Sequence, residues 1–290
     1  LAYFLHTLIL FTYDQLFDVV LPFTIFGVCS AYSGSTLNLP NFPLRSIYCR
    51  VGLVFIWLWM MCLQVTISNQ RHPSSIAEDS INKPWRPMPS GRLGIEQACQ
   101  LLLGVLLLNG LVAHWLGVLD IWMLFTFLMT VYNDWGGSDN SFTRTLLNAA
   151  AFAIFSCSAL QVALLDHPMT RECWEWVTAI TLVILTTIHA QDFRDEIGDR
   201  ARGRSTLVTI FGHSVARASL ILMVFIWSFG LPLRFGVGWK AAVVIHLLGL
   251  HVAYLTVLAG TMRENRVPVD KRMYRMWALW VASLGPLPLL

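Results

Sequence analysis

The amino-acid sequence predicts an all-α integral membrane protein, a bundle of nine transmembrane helices that forms one domain over residues 1–290. Two observations predict this class. The chain is 56% hydrophobic and only 13% charged, whereas soluble domains carry about 25% charged residues. Its apolar residues also fall into runs that approach the roughly 20 residues a helix needs to cross about 30 Å of hydrocarbon.

Nine apolar runs justify the nine predicted helices. In chain order they lie near residues 15–33, 47–68, 97–118, 119–135, 146–166, 173–191, 212–232, 240–261 and 272–290. Runs three and four nearly touch, and the last contains Gly285, Pro286 and Pro288. We expect helices because backbone groups in hydrocarbon must be satisfied within each segment. A β-barrel would show alternating segments of about ten residues, and these runs are longer and more uniformly apolar.

The basic residues predict the orientation of the bundle. With nine crossings, the N-terminus shares one face with the loops after the second, fourth, sixth and eighth helices. This face holds 15 of the 20 Lys and Arg residues, and the other five are Arg45, Arg50, Arg171, Arg234 and Lys240. The positive-inside rule places the basic face in the cytosol. The lipid bilayer is an expected partner, and no nucleic-acid partner is expected.

Acidic residues stand at helical spacing in the sixth loop, which reads HAQDFRDEIGDRARGRSTL. On a helix, Asp192, Asp195 and Asp199 would lie along one face. Like charges at this spacing repel, so a bound cation is a physical reason to collect them. The alternative is a solvated helix end, because basic residues are interleaved with the acids.

The second loop, SNQRHPSSIAEDSINKPWRPMPSGR, also mixes acids with basic groups. Carboxylates such as Glu78 and Asp79 are hard ligands for Mg²⁺, which commonly binds through one or two carboxylates plus substrate phosphate oxygens. Lys83 and Arg86 are groups that a diphosphate requires. Because both acidic loops fall on the same predicted face, a Mg²⁺-bridged diphosphate site explains them better than coincidence.

A third segment on this face, VYNDWGGSDNSFTR, ends the fourth predicted helix. It adds polar groups at Tyr132, Asn133, Asp134, Asp139 and Arg144. The alternative interpretation is an ordinary glycine-rich turn with a capping Asn or Asp.

The two acidic loops together resemble the signatures of the UbiA superfamily of intramembrane prenyltransferases. The family's first motif runs roughly NDxxDxxxDxxNxPxRP, and its second runs roughly DxxxDxxxGxxT. The matching residues are Asp79, Asn82, Pro84, Arg86 and Pro87 in the first, and Asp195, Asp199, Gly203 and Thr206 in the second. The first motif departs from the pattern, since Ser75 replaces the middle Asp and Arg71-His72 replaces the opening Asn-Asp.

Within this superfamily the motifs look most similar to the fungal branch of UbiA-type terpene cyclases. The lysine common after the tyrosine of aromatic prenyltransferases is absent from VYNDWGGSDNSFTR. The resemblance implies a nine-helix bundle whose apolar central cavity is capped by cytosolic Asp-rich loops, in the endoplasmic reticulum. It also implies Mg²⁺-dependent ionisation of an isoprenyl diphosphate, here farnesyl diphosphate, followed by cyclisation to a sesquiterpene.

The hypothesis gives each group of residues a role. The predicted catalytic residues are Asp79, Asp195 and Asp199. The predicted Mg²⁺ ligands are Asn69, Glu78, Asp79, Asp192, Asp195 and Asp199. The predicted diphosphate-binding residues are Asn82, Lys83, Arg86, Arg144 and Arg204. The predicted cavity and cation-stabilising residues are Phe55, Trp57, Trp59, Phe125, Phe127, Tyr132, Asn133 and Asp134.

Two alternatives stay open. A prenyltransferase, in which an aromatic or lipid acceptor captures the same allylic cation, would use the same ionisation residues. An ion-coupled transporter would place its acids near the bilayer midplane and often shows an internal repeat, whereas these acids cluster at one face of the predicted bundle.

Overall fold

The computed structural model describes residues 1–262 and 265–290. Within these ranges the regular structure is entirely helical. Eleven α-helices follow one another there: α1 Ala2–Ala31, α2 Ile47–Gln70, α3 Pro73–Asn82, α4 Ile95–Trp115, α5 Leu119–Asn133, α6 Ser141–Leu164, α7 Arg171–Thr187, α8 Ala190–Ala201, α9 Leu207–Arg234, α10 Val243–Thr261 and α11 Arg266–Leu284.

Each of the nine predicted spans overlaps one of these helices, and the remaining two, α3 and α8, lie in the acidic loops. Six helices in the described ranges are long and apolar enough to cross a membrane: α1, α2, α4, α6, α9 and α10. α7 and α8, bent by 46°, form a possible seventh span. α5 has only 15 residues, or about 22 Å at 1.5 Å per residue. The all-helical membrane class is confirmed, and the count of nine crossings stays a prediction.

The first helix contains a break that positions polar side chains. Residues Leu16–Val20 form a π-helical turn, in which the extra residue per turn changes the phase of the helix. The second half of α1 packs on α6. There, a Cβ on Gly27 would lie 2.6 Å from the carbonyl carbon of Ala159, so only glycine permits this close approach.

Polar side chains inside the bundle are paired with one another. Gln64 Oε1 accepts hydrogen bonds from Asn109 Nδ2 at 2.8 Å and from Trp122 Nε1 at 2.9 Å. Gln64 Nε2 donates to Thr126 Oγ1 at 3.0 Å. Gln64 and Asn109 are both buried, as polar groups inside an apolar bundle usually are. These hydrogen bonds join α2, α4 and α5 inside the bundle.

The two helices of the acidic loops pack against each other at one end of the bundle. α3 begins with Pro73 at its first position and ends at Asn82, just before a segment that contains Pro84, Pro87 and Pro89. α8 ends at Ala201, and Gly203 follows with a φ of +70°, which glycine adopts without strain. The helix that the spacing of Asp192, Asp195 and Asp199 indicates is therefore present, and a glycine turn ends it.

Candidate active site

A cavity of about 230 Å³ opens where α3 and α8 meet α2, α5 and α6. Its charged lining comes from the acidic loops, the first turn of α6 and the segment after α8: Glu78, Asp79, Lys83, Arg86, Arg144, Arg194, Asp195 and Arg204. Its apolar lining comes from residues further inside the helices: Val65, Phe125, Leu128, Met129, Leu147 and Ala151. The cavity therefore has a charged end and an apolar end.

The first acidic loop contributes Asp79, and one arginine, Arg86, contacts both of its carboxylate oxygens. Arg86 Nη1 lies 3.1 and 2.9 Å from the two oxygens of Asp79, and its Nη2 donates to Asp14 Oδ2 at 3.2 Å. Asp79 and Arg86 are both buried. Burial raises the pKa of Asp79 above its ordinary value, although Arg86 and Lys83 act to lower it.

The second acidic loop places the Asp195 carboxylate against two basic groups. Arg194 donates to its two oxygens at 2.9 and 2.7 Å, and Lys83 Nζ lies 3.8 Å from Oδ2. Burial lowers the pKa of Lys83 below its ordinary value and neighbouring Arg86 lowers it further, against the opposing effect of Asp195. The ion pair between Lys83 and Asp195 thus links the charged residues of the two acidic loops.

A backbone contact fixes the spacing of α3 and α8. Asn82 Nδ2 donates to the carbonyl oxygen of Asp195 at 3.2 Å. The side chain of Asn82 lies over Gly198, where an added Cβ would be 2.7 Å from Asn82 Cγ. Asn82, predicted to bind diphosphate, is here a residue that joins the two helices, and it does not line the cavity.

The other two aspartates of α8 are buried and paired with the predicted phosphate-binding arginines. Arg144 donates to Asp192 at 2.9 Å, and Arg204 donates to Asp199 at 2.8 Å and to Glu78 at 3.1 Å. Asp192, Asp195 and Asp199 are 5%, 8% and 0% exposed. The alternative of a solvated helix end is therefore wrong for these three residues.

The third polar segment lies mostly beside a second cavity. Asn133 and Asp134 line this space of about 430 Å³ with Ser75 and Asn69, which also border the first cavity. Asn69 Nδ2 donates to Asn133 Oδ1 at 3.0 Å. Asp134 forms an ion pair with Arg71. Asn133 and Asp134, predicted to line the cation cavity, are thus not among the residues that line it.

The predicted aromatic residues divide into two groups. Phe125 and Tyr132 line the cavity. Trp57 donates to Ser158 at 2.5 Å and Trp59 donates to Thr12 at 3.0 Å; both are packing residues outside the lining. Phe55 packs on the central apolar cluster and also lies outside the lining. Phe127 is 53% exposed and packs edge-to-face on Trp135, so it does not reach the cavity.

Three residues around the charged end of the cavity were not predicted from the sequence. Asp14 and Asp18 of α1 contact Arg86 and Arg194, and Tyr274 of α11 donates to Asp18 at 2.8 Å. One signal was available in the sequence. Ionisable residues inside an apolar helix are rare and commonly functional, and α1 carries two, four positions apart.

The carboxylate oxygens at the cavity fit a Mg²⁺ ion whose remaining ligands are phosphate oxygens of a substrate. Across residues 1–262 and 265–290 no three His, Cys, Asp or Glu side chains are grouped closely enough to hold a metal by themselves. Mg²⁺, however, is usually bound by one or two carboxylates plus phosphate oxygens. Asp79, Asp195 and Glu78 border the same cavity, and the buried Oδ2 of Asp199 has no hydrogen-bond partner among the described residues.

These features define an integral membrane protein with a charged cavity at one end of a helical bundle. Residues 20–280 match the UbiA prenyltransferase family, so the chain belongs to that family. The fold agrees: a UbiA homologue from Archaeoglobus fulgidus, solved with GPP and Mg²⁺, superposes with a TM-score of 0.68. That match covers 98% of this chain and 99% of the homologue at 13% sequence identity.

Named relatives fall into two activities. The chain is 28% identical over 237 residues to fumagillin beta-trans-bergamotene synthase from Aspergillus fumigatus, covering 81% of this chain and 79% of the relative. It is 31% identical over 206 residues to a polyprenyl transferase from Hericium erinaceus, covering 68% of this chain and 66% of the relative. Both terpene synthases and prenyltransferases are thus among its relatives.

Proposed function

We propose that this protein is a membrane-bound terpene cyclase that ionises farnesyl diphosphate with Mg²⁺ and cyclises it to a sesquiterpene. The observation that carries the proposal is the cavity with a charged end and an apolar end. A prenyl diphosphate has the same division, with a polyanionic head and a hydrocarbon tail. Similarity to a bergamotene synthase over most of both chains supports the cyclase in particular.

The charged end would hold the diphosphate and its metal. Asp79, Asp195 and Asp199 would bind Mg²⁺ with Asn69, Glu78 and Asp192 beside them. When bound, Mg²⁺ supplies charge neutralisation for the leaving diphosphate. Lys83, Arg86, Arg144, Arg194 and Arg204 would donate to the remaining phosphate oxygens. Charge-assisted bonds of this kind are strongest from planar guanidinium groups.

The apolar end would protect the allylic cation. Residues inside α2, α5 and α6 line it, and their hydrocarbon side chains exclude water that would quench the cation. The faces of Phe125 and Tyr132 can stabilise migrating positive charge by cation–π attraction. These side chains would hold the tail folded for ring closure.

The proposal is tested by giving the purified protein Mg²⁺ and farnesyl diphosphate alone. We expect release of inorganic diphosphate together with a cyclic hydrocarbon, identified by gas chromatography and mass spectrometry. Turnover that begins only when an aromatic or lipid acceptor is added would establish the alternative, a prenyltransferase, which similarity to the Hericium polyprenyl transferase supports. Release of linear alcohol alone would contradict cyclisation.

We further propose that the N-terminus and the acidic loops face the cytosol from the endoplasmic reticulum membrane. The excess of basic residues on that face supports the orientation. Engineered glycosylation acceptors test it: an acceptor in the loop between α6 and α7 should be modified, and one in the loop between α3 and α4 should not. The reverse pattern would overturn the orientation.

A further inference from the structure

Two carboxylates of α1 each contact an arginine that is already bonded to a motif aspartate. Arg86 binds both oxygens of Asp79 through Nη1, and its Nη2 donates to Asp14 Oδ2 at 3.2 Å. The side chains of Arg86 and Asp14 are 7% and 20% exposed. Arg86 is therefore shared between the first acidic loop and the first helix.

The second acidic loop repeats this arrangement with different residues. Arg194 holds both oxygens of Asp195, and its Nη1 lies 3.4 Å from Asp18 Oδ2. The Tyr274 hydroxyl donates to the same Asp18 oxygen at 2.8 Å, and its ring lies 3.8 Å from the Arg194 guanidinium carbon. α1 and α11 thus hold Arg194 from the side away from its motif aspartate.

Mg²⁺ at Asp79 or Asp195 would compete with the arginine bonds, because the ion takes lone pairs of the same oxygens and repels the guanidinium charge. In the structure the oxygens of Asp79 and Asp195 are engaged by Arg86 and Arg194. If these oxygens bind Mg²⁺, their bonds to the arginines weaken and N–H groups are released, while the cavity then contains an anion that needs donors. A free arginine would lose its position because its long side chain has many rotamers.

We propose that Asp14 and Asp18 are positioning residues that keep Arg86 and Arg194 beside the cavity when Asp79 and Asp195 bind metal. The N–H groups released from the motif aspartates then donate to the diphosphate. This inference rests on the proposed diphosphate site. A purely structural role explains the arrangement less well, because a buried ion pair adds little net stability over apolar packing. The two pairs, Asp14 with Arg86 and Asp18 with Arg194, instead meet at one cavity, which both arginines line.

The test measures binding of inorganic diphosphate to the detergent-solubilised full chain by isothermal titration calorimetry, with and without Mg²⁺. Asp14→Asn and Asp18→Asn keep the side-chain shape and remove the charge. We expect each to weaken Mg²⁺-dependent diphosphate binding about tenfold, the size of one lost charge-assisted interaction. The matched control, Asp120→Asn, changes an exposed acid at the opposite end of α5 from the cavity and should bind like wild type.

Double substitutions show whether each acid acts through its arginine. Asp14→Asn should have no further effect in an Arg86→Gln background and its full effect in an Arg194→Gln background. The opposite pattern is expected for Asp18→Asn. Additivity in all four combinations would overturn the proposal, because a structural defect would not distinguish between the two arginines.

Thermal unfolding of each variant separates positioning from folding. If Asp18→Asn fails to fold, Tyr274→Phe removes only the hydroxyl bond to Asp18 and should weaken diphosphate binding about threefold, since a neutral hydrogen bond contributes less. Wild-type affinity in both Asp14→Asn and Tyr274→Phe would overturn the inference. If the wild-type protein binds no diphosphate with Mg²⁺, the proposed function fails as well, which is a different result from unaltered binding by the variants.

Discussion

The two acidic segments that meet at the cavity differ in how many carboxylates they keep. The α8 segment has Asp195 and Asp199 at the family spacing and adds Asp192. The α3 segment keeps only Asp79 of its motif acids, and Ser75 and His72 stand where the other two are expected. In the structure Arg202 donates to Ser75 Oγ at 3.3 Å. One segment is therefore rich in metal-type ligands, whereas the other has become partly basic.

This difference indicates that the two segments have different roles, one in binding metal and the other in binding phosphate. α8 would supply most of the oxygen atoms for metal, while α3 and the turn after it supply cations for phosphate through Lys83 and Arg86. The contact between Asn82 and Gly198 keeps the two sets of groups at a fixed separation. The following substitutions test this division, from the largest expected effect to the smallest.

Asp195→Asn should have the largest effect, because it removes a carboxylate charge from the metal-rich segment. We expect the rate of diphosphate release to fall roughly a thousandfold, as when a preorganised electrostatic group is lost. The control, Asp166→Asn, lies exposed beyond the far end of α6 and should retain wild-type activity. Activity within threefold of wild type in Asp195→Asn would contradict the assignment of metal ligands to α8.

Gly198→Ala should separate the two segments without changing any charge. The added Cβ would lie 2.7 Å from Asn82 Cγ, and misplacement of reacting groups by about 1 Å can cost about a hundredfold in rate. Turnover of farnesyl diphosphate measures the loss. Gly104→Ala in α4 is the matched control, since its Cβ would meet nothing within 4 Å. Equal activity in the two variants would show that the spacing is unimportant.

Ser75→Asp should make the two segments more alike in the number of carboxylates that they carry. The new carboxylate would lie beside Arg202 and the shared border of the two cavities. We expect the Mg²⁺ concentration for half-maximal rate to fall about fivefold, which corresponds to about 1 kcal/mol from one added favourable contact. Ser74→Asp adds the same charge at a neighbouring position that borders only the second cavity. The same change in both variants would mean that the effect is merely one of net charge.

The alkaline limb of the pH profile should report Lys83. Because the pKa of Lys83 is lowered by burial and by Arg86, kcat/KM should fall as pH rises through a value below the ordinary lysine range. An arginine keeps its charge at these pH values, so Lys83→Arg should move this limb to higher pH.

The acid limb is the internal control for that measurement. Asp79 must lose its proton to act, and its pKa is raised by burial, so kcat/KM should fall as pH drops through a value above the ordinary aspartate range. Lys83→Arg should keep an acid limb of this kind. An unmoved alkaline limb in Lys83→Arg would assign that limb to another group.

The sequence predicted the helical class, the α8 carboxylate face and the charged residues of the two loops, because periodicity and spacing are local properties. It could not predict the pairing of Arg194 with Asp18, which are 176 positions apart. Arg194 looked like one of several charges on a solvated helix, yet it lines the cavity. Aromatic residues such as Trp57 and Phe127 were placed wrongly because an apolar helix does not reveal which of its faces meets a cavity.

The π-turn of α1 determines the direction in which Asp14 points relative to the second half of the helix. A π-turn is in effect one residue inserted into an α-helix, and deleting one residue from Leu16–Val20 would rotate Asp14 by about 100° relative to the apolar half. That half, which packs on α6, would stay in place while Arg86 lost its second carboxylate. The same rotation would turn the buried Phe11 out of its apolar cluster with α2 and α4, so the π-turn sets the register of both the polar and the apolar side chains in the first half of α1.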